Sequence, residues 1–311
     1  MRVSDNYKMI IENYEGNNFQ PFLPSYYVIE VSSVCNFYCS ICPHKLMLAN
    51  RKGIMDVKLF KNILSQISDC ARVIQLYWMG EPLLNENIFD IIKLCKNDTQ
   101  AKIMISTNGS LLSDKNIKSL LESGIDKIII SVDAANNSDI YNGIRKGGNL
   151  EQLNNSIEKI IIENQKQDNK TEILLQFIQL YENEVEKEEF LSKWKKFNCT
   201  TSLSCLYTWS NQMSELSDKS AFLSPMIGTE RVACSDLWFK ACIRYDGKVS
   251  LCCFDWNNKV CLGDLKNEDL ITIWNNKLIN QIRLEHRESK FNRLCNECDA
   301  WAVMTEYETL F

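Results

Sequence analysis

Residues 26–42 read YYVIEVSSVCNFYCSIC, and this stretch decides what kind of fold and chemistry the chain can have. The first six residues are rich in β-branched and aromatic side chains, which predicts a buried strand. Three cysteines follow it in a Cys-x3-Cys-x2-Cys spacing, Cys35, Cys39 and Cys42. Three thiolates this close can converge on one four-iron cluster and leave one iron open for another ligand. A zinc site closed by His44 is the alternative, although the spacing is not that of a zinc finger.

Strand and helix patterns alternate about six times between residues 26 and 206. Apolar residues recur at helical spacing over 56–69, with Asp56 placed as the N-cap, and a strand pattern follows at Val73–Trp78. Such alternation predicts right-handed βαβ crossovers and a parallel sheet or barrel with helices outside. In barrels of this kind the chemistry lies on loops at the C-terminal ends of the strands.

The last third of the chain follows a different pattern. A polar stretch at 210–224 predicts a linker, and a helical pattern around Leu270–Glu285 follows several short strand patterns. This is typical of a small α+β module whose core is too small to fold without a metal. The predicted divisions are an N-terminal extension (1–25), a core domain (26–209), the linker (210–224) and the module (225–311).

Composition excludes several classes of protein. The 311 residues are 45% hydrophobic and 24% charged, with a net charge of −5, which argues against sequence-independent binding to nucleic acid. We expect no membrane span, because no apolar run reaches the ~18 residues that a span needs. We also expect a cytoplasmic location, because the first residues lack a signal-peptide pattern. Fourteen cysteines in a reducing compartment indicate metal ligation rather than disulfides.

Four further segments carry polar or glycine residues at or beyond the ends of predicted strands. They are Tyr77-Trp78-Met79-Gly80-Glu81-Pro82, Ser106-Thr107-Asn108-Gly109, Ser131-Val132-Asp133-Ala134 and Tyr141-x3-Arg145-x-Gly147-Gly148. Each one alone is more often only a turn. Their succession behind a cysteine triplet indicates one site at the rim of the barrel.

With the triplet, these segments resemble the radical S-adenosylmethionine superfamily over residues 26–206. The resemblance implies a partial (β/α)6 TIM-like barrel that binds S-adenosylmethionine and a three-cysteine [4Fe-4S] cluster. It also implies that a 5′-deoxyadenosyl radical abstracts hydrogen from a small-molecule substrate, with a flavodoxin or ferredoxin as reductant. The implied cofactor-binding residues are Gly80, Glu81 and Pro82 at the ammonium, Ser106 and Asn108 at the ribose, Ser131 and Asp133 beside them, Arg145 at the carboxylate, and Gln176 within reach of the ribose.

A second cysteine group lies in the module. Cys234, Cys252 and the pair Cys295-x2-Cys298 are enough to close the coordination of one four-iron cluster. The segment around Cys252 resembles the SPASM/twitch extension of radical S-adenosylmethionine enzymes. Only 13 residues follow Cys298 and none is cysteine, which favours the twitch form with a single auxiliary [4Fe-4S] cluster. Zinc at these four positions is the alternative.

The remaining cysteines are predicted mostly as packing residues. Cys253 is the best candidate for donating a hydrogen atom to a substrate radical, because strand alternation would turn it to the face opposite Cys252. The other residues that we expect in the core or around the module are Cys70, Cys95, Cys199, Cys205, Cys242 and Cys261. His286 lies in a charged helical pattern and is predicted to be exposed, whereas His44 is expected to hydrogen-bond the backbone.

Within the twitch group the chain most resembles aminocyclitol dehydrogenases, which oxidise a secondary alcohol to a ketone. The basic residue thought to assist that oxidation would fall near residues 208–211, where the sequence has no arginine. The reaction class is therefore predicted more firmly than the substrate. Two alternatives stay open: modification of a ribosomal peptide by epimerisation or thioether bonding, and sugar epimerisation with a cysteine as hydrogen donor.

Overall fold

The computed structural model describes residues 22–221, 231 and 233–298. The predicted extension (1–25) lies almost wholly outside this range, as do the last residues of the module. All the strands of the described residues belong to one sheet. They are β1 (Tyr26–Ile29), β2 (Val73–Gln75), β3 (Lys102–Thr107), β4 (Lys127–Ser131), β5 (Glu172–Ile178), β6 (Thr200–Ser204), β7 (Lys240–Ile243), β8 (Lys248–Ser250) and β9 (Cys261–Asp264).

The α-helices of the described residues follow the strands in the expected alternation. They are α1 (Val57–Ile67), α2 (Ile88–Asp98), α3 (Asp114–Glu122), α4 (Ser138–Ile144), α5 (Leu150–Gln165), α6 (Lys187–Trp194), α7 (Asp236–Phe239), α8 (Leu270–Trp274) and α9 (Lys277–Arg287). Short 3-10 helices lie at Pro43–Leu46, Ala49–Arg51, Pro82–Leu84, Glu184–Glu186, Ser214–Lys219 and Arg293–Cys295.

The sheet order is β6-β5-β4-β3-β2-β1-β7-β8-β9. Every pair from β6 to β1 is parallel, and each of the first five strands is followed by at least one helix. This confirms the predicted α/β class and partial barrel. The C-terminal ends of these strands share one edge, so the loops that carry the cysteine triplet and the polar segments meet there.

Capping side chains explain where several helices begin. The side chain of Asp56 accepts the backbone N–H groups of Lys58 and Leu59, as the sequence predicts, and α1 then buries its apolar stripe. Ser113 and Asn149 cap α3 and α5 in the same way. The predicted helix over Leu270–Glu285 is instead two helices. It breaks because the Asn276 side chain accepts the N–H groups of Leu278 and Ile279, which starts α9 anew.

The module is continuous with the barrel. Strand β7 pairs in parallel with β1, and β8 and β9 extend the sheet as antiparallel strands. Trp238, Ile243 and Trp274 belong to the same apolar core as the barrel helices. The module therefore buries its apolar face against the barrel's own core, and its predicted need for a metal stays a prediction.

The described part of the predicted linker is also packed. Met213 and Leu216 are fully buried against the cysteine loop region. The Gln212 Nε2 group donates to the carbonyl of Phe254 at 2.9 Å. Two apolar side chains thus fix this otherwise polar segment on the barrel, and Gln212 links it to the module. No helix among the described residues is long and apolar enough to cross a membrane.

Candidate active site

The loop of Cys35, Cys39 and Cys42 begins where β1 ends. Phe37, between the first two cysteines, is buried. The backbone N–H groups of Tyr38 and Ser40 donate to the carbonyls of Lys146 and Ile144, each at 2.9 Å. The loop is therefore fixed on the segment that follows α4, with its cysteines held in place on both sides.

Gly80 brings the next polar segment against this loop. A Cβ atom at Gly80 would lie 2.3 Å from the carbonyl oxygen of Ser32 and 2.6 Å from that of Val34. The following N–H, that of Glu81, donates to the same Val34 carbonyl at 2.8 Å. Only glycine allows this approach, so the loop after β2 packs directly on the cysteine loop.

The buried Glu81 carboxylate links the loop after β2 to the end of β3. It accepts hydrogen bonds from Leu83 N at 3.1 Å, Thr107 Oγ1 at 2.8 Å and Asn108 N at 2.8 Å. Burial raises the pKa of Glu81 to about 7, and these three donors oppose the rise. In the structure the carboxylate thus positions Asn108, and its predicted contact with an ammonium group stays a prediction. Pro82 starts the short 3-10 helix behind it.

Asn108 contacts the cysteine loop directly. Its Nδ2 group donates to Asn36 Oδ1 at 2.9 Å and lies 4.0 Å from the Cys35 sulfur. Ser106, Ser131 and Gln176 lie on the adjacent strands β3, β4 and β5, and the last two are direct partners in the sheet register.

Arg145 contacts the same loop from the other side. Its Nη1 lies 3.8 Å from the Cys39 sulfur, and its Nε donates to Asp133 Oδ2 at 2.6 Å. The other oxygen of Asp133 accepts the Ile178 N–H at 2.7 Å, so the carboxylate is fixed by β5. Asp133 therefore orients the guanidinium. The hydrogen bonds of Asp133 indicate this orienting role, which its sequence segment alone does not reveal.

The triplet suits an iron–sulfur cluster better than a single metal ion. Burial raises the pKa of Cys35 to about 11 and that of Cys42 to about 12, so these thiols need a bound metal to be held as thiolates. Among the described residues, no three His, Cys, Asp or Glu side chains are grouped for one ion. Cysteines that bind different irons of a cluster do not need such a grouping. His44 Nε2 lies 3.0 Å from the Ser33 carbonyl, as expected for a backbone contact.

A cavity of about 480 Å³ extends from the barrel strands to the module. Its barrel side includes Gln75, Tyr77 and Gln176, and Gln176 Nε2 donates to Ser204 Oγ at 3.2 Å. Its module side includes all four cysteines of the second group, Cys234, Cys252, Cys295 and Cys298. The fold thus brings together four thiols that the sequence separates by up to 64 positions.

These four thiols also suit a cluster. Burial raises the pKa of Cys295 to about 12, and it raises the pKa values of Cys234 and Cys252 well above the usual range. The charges of Cys295 and Cys298 contribute to both of the latter shifts. A soft metal centre that holds them as thiolates removes this cost.

The prediction of an exposed His286 is wrong. The residue is 2% exposed, and its Nδ1 accepts the Cys234 backbone N–H at 3.2 Å. Burial lowers the pKa of His286 to about 4. The helical spacing of Ile279, Ile282 and His286 at i, i+3 and i+7 was the available signal, but the charged neighbours of His286 obscured it.

The cavity also contains cations that sequence reasoning missed. Lys240 Nζ pairs with Asp236 Oδ2 at 3.2 Å and lies 5.3 Å from the Tyr26 ring centre. Arg231 stacks on Phe291 with 4.1 Å to the ring centre, and it donates to the carbonyls of Cys295 and Asn296. Lys240 and Arg231 are thus basic residues of this cavity that lie outside 208–211.

The other cysteines occupy different environments. Cys253 lines the cavity and packs against the apolar cluster that contains fully buried Cys242. The argument from strand alternation for Cys253 is wrong, because β8 ends at Ser250 and both Cys252 and Cys253 face the cavity from the turn beyond it. Cys205, predicted as core, also lines the cavity, whereas Cys261 is exposed.

Comparison with known proteins identifies the class of enzyme. Residues 29–189, more than half of the chain, match the radical SAM superfamily, and residues 234–299 match the SPASM iron-sulfur cluster-binding domain. The chain belongs to the radical SAM superfamily and is an oxidoreductase of that class. S-adenosylmethionine and iron–sulfur clusters are its cofactors, which agrees with the resemblance found in the sequence.

Individual relatives show which enzymes of this superfamily the chain resembles. The S-adenosyl-L-methionine-dependent 2-deoxy-scyllo-inosamine dehydrogenase of Niallia circulans is 24% identical over 285 residues, which cover 89% of this chain and 94% of that protein. The crystal structure of BtrN in complex with AdoMet and 2-DOIA covers 90% of this chain and 94% of its own, with a TM-score of 0.62 and 21% identity. Streptococcus suis SuiB bound to S-adenosylmethionine covers 95% of this chain but 76% of its own, with a TM-score of 0.64 and 16% identity.

Proposed function

We propose that this enzyme oxidises a secondary alcohol of a small aminocyclitol or carbohydrate-like substrate to a ketone. The observation that carries the proposal is the single cavity that joins Gln75, Tyr77 and Gln176 of the barrel to the four module cysteines. A substrate in it would lie between the site of radical formation and an electron acceptor. The end-to-end similarity to the inosamine dehydrogenase supports the same reaction class.

Two [4Fe-4S] clusters serve this reaction in the proposal. Cys35, Cys39 and Cys42 hold the one that binds S-adenosylmethionine, and Cys234, Cys252, Cys295 and Cys298 hold the auxiliary one. When bound, these groups supply a 5′-deoxyadenosyl radical and an acceptor for one electron. The residues that bind S-adenosylmethionine are Gly80, Glu81, Pro82, Ser106, Asn108, Ser131, Asp133, Arg145 and Gln176.

The chain's own residues account for binding and orientation. Oxidation of a secondary alcohol removes one hydrogen atom from carbon, one electron and the hydroxyl proton. Lys240 presents a donor to the cavity and Asp236 an acceptor, so a substrate with both hydroxyl and amino groups can bind both. Gln75 and Gln176 offer donors and acceptors on the opposite, barrel side. A cavity of this size suits one small ring rather than a peptide.

The proposal is tested with the anaerobically reconstituted enzyme, S-adenosylmethionine and dithionite or a flavodoxin. 2-Deoxy-scyllo-inosamine and related aminocyclitols are supplied with deuterium on the carbinol carbon. We expect a product two mass units lighter than the unlabelled alcohol, with deuterium in 5′-deoxyadenosine. Formation of 5′-deoxyadenosine without any ketone across the panel contradicts the proposal.

One observation favours a second candidate, a radical epimerase. Cys253 lines the cavity and is backed by the buried Cys242 thiol, an arrangement that suits donation of a hydrogen atom to a substrate radical. In that reaction the product keeps the substrate's mass in H2O and gains one deuterium in D2O. Product mass in the two solvents therefore distinguishes the two functions. We do not propose peptide modification, because the alignment with the inosamine dehydrogenase covers both that enzyme and this chain nearly end to end.

A further inference from the structure

His286 is a buried ring whose hydrogen bonds fix the position of its proton. Although it lies between Glu285 and Arg287 on α9, it is among the buried polar residues of the module. Its Nδ1 accepts the backbone N–H of Cys234 at 3.2 Å. A nitrogen that accepts a hydrogen bond carries no proton, so the ring proton is on Nε2.

The Nε2–H group has no hydrogen-bond partner within the described ranges. A buried donor left unpaired is unfavourable, so such a group in a native protein indicates a partner that the polypeptide does not supply. The His286 side chain lines the same cavity as Cys234, Cys295 and Cys298. The partner is therefore expected among whatever these cysteines bind.

Packing keeps the ring in this orientation. The edge of His286 meets Phe291 with ring centres 5.0 Å apart at an interplanar angle of 89°. Arg231 covers Phe291 at 4.1 Å from the ring centre. These contacts, with the Cys234 hydrogen bond, hold the ring beside the cysteines and restrict its rotation.

We propose that His286 is a positioning residue for the auxiliary cluster and donates a hydrogen bond from Nε2 to one of its sulfur atoms. The inference rests on the proposed four-cysteine cluster. Hydrogen bonds to sulfur stabilise the more negative, reduced state of a cluster and so raise its reduction potential. A raised potential suits a centre that takes an electron from a substrate.

The test uses full-length protein in which Cys35, Cys39 and Cys42 are replaced by Ala, so that only the auxiliary cluster is loaded. His286→Asn places an amide oxygen where Nδ1 accepts the Cys234 N–H but removes the donor at Nε2. His286→Gln is the matched control, because its amide can reach the position of the Nε2 donor. The reduction potential of the cluster is measured in all three proteins.

We expect the Asn variant to have a lower potential, by about a tenfold change in the oxidised-to-reduced ratio, or about 59 mV for a one-electron couple. We expect the Gln variant to stay close to the parent. Equal potentials in all three proteins overturn the proposal. An equal drop in both variants also overturns it, because that result indicates only a structural role.

A second measurement leaves His286 unchanged. The chain contains only two histidines, and the other, His44, contacts the three-cysteine loop. With ¹⁵N-histidine and the triple Ala background, pulsed EPR of the reduced cluster should show a nitrogen coupling and a proton coupling that D2O removes. About four irons per chain without these couplings overturns the role of His286 alone. Absence of iron overturns the auxiliary cluster itself and, with it, this inference.

Discussion

The two cysteine groups differ in how the chain assembles them. Cys35, Cys39 and Cys42 lie within eight residues of one loop after β1, whereas the module cysteines are spread over residues 234–298. The first group is formed by a single loop that the barrel holds from both sides. The second is complete only when β7 has joined β1 and α9 has packed on the module. In the proposed function, a local motif and a tertiary assembly would thus supply the ligands of the two clusters.

The residues around the two cysteine groups also differ, and they suit one group to radical formation and the other to electron transfer. Asn108 and Arg145 contact the three-cysteine loop, and both can bind a polar cofactor at an iron left open. The four cysteines of the module are enough to close a proposed cluster without another ligand, and their neighbours are His286 and the Arg231–Phe291 stack. An open centre suits radical formation, and a closed centre with hydrogen-bond donors around it suits electron transfer.

The largest effect is expected at the open centre. Cys39→Ala removes one of only three ligands, so 5′-deoxyadenosine formation should fall to background. Iron in the reconstituted protein should fall from about eight to about four per chain. Chromatography of the nucleoside and iron analysis measure both results.

Cys199→Ala is the matched control, since Cys199 packs partly buried against the core away from both groups. It should keep its iron and its 5′-deoxyadenosine formation. Continued nucleoside formation by the Cys39 variant would mean that the triplet is not the site of S-adenosylmethionine cleavage.

An intermediate effect is expected at Arg145. Arg145→Lys keeps a positive charge but loses the fork that bonds Asp133 and lies beside the Cys39 sulfur. The KM for S-adenosylmethionine should rise about tenfold, which corresponds to one charge-assisted hydrogen bond. The kcat should change much less, because the radical chemistry itself does not need this residue.

Steady-state kinetics with Arg72→Lys as the control measures this effect. Arg72 is exposed and precedes β2, at the end of the barrel opposite the cysteine loop. An unchanged KM in the Arg145 variant would contradict the predicted binding of S-adenosylmethionine by Arg145. The same increase in the Arg72 control would contradict it as well.

The smallest effect is expected at Cys253. If the enzyme is a dehydrogenase, Cys253→Ser should change ketone formation by less than about twofold, because serine keeps a small side chain against the Cys242 cluster and the reaction needs no hydrogen donor there. If it is an epimerase, the variant should lose solvent deuterium incorporation altogether. Product mass in D2O decides between the two, with exposed Cys261→Ser as the matched control.

The sequence predicted best what depends on short segments. The alternation of strands and helices, the Asp56 cap and the placement of Asn108 and Arg145 beside the cysteine loop follow from local patterns. The structure explains Gly80 by its close contact with Ser32, which needs glycine, while its predicted contact with the cofactor stays a prediction.

Other features depend on tertiary packing and could not be read from one segment. The inward orientation of His286 depends on α9 packing beside the segment of Cys234, which lies 52 residues earlier in the chain. The loss of strand geometry after Ser250 brings Cys252 and Cys253 to the same cavity, against the expected alternation. The pairing of β7 with β1 also gives the module a core shared with the barrel.

One ratio tests the division of tasks between the two cysteine groups most directly. It is the amount of ketone formed per 5′-deoxyadenosine, measured in a double variant that carries Cys295→Ala and Cys298→Ala. The unaltered enzyme should form about one ketone per nucleoside. In the double variant, nucleoside formation should continue while the ketone falls towards zero, because the electron from the substrate has no acceptor. A ratio that stays near one would contradict the assignment of the four-cysteine group as the electron acceptor.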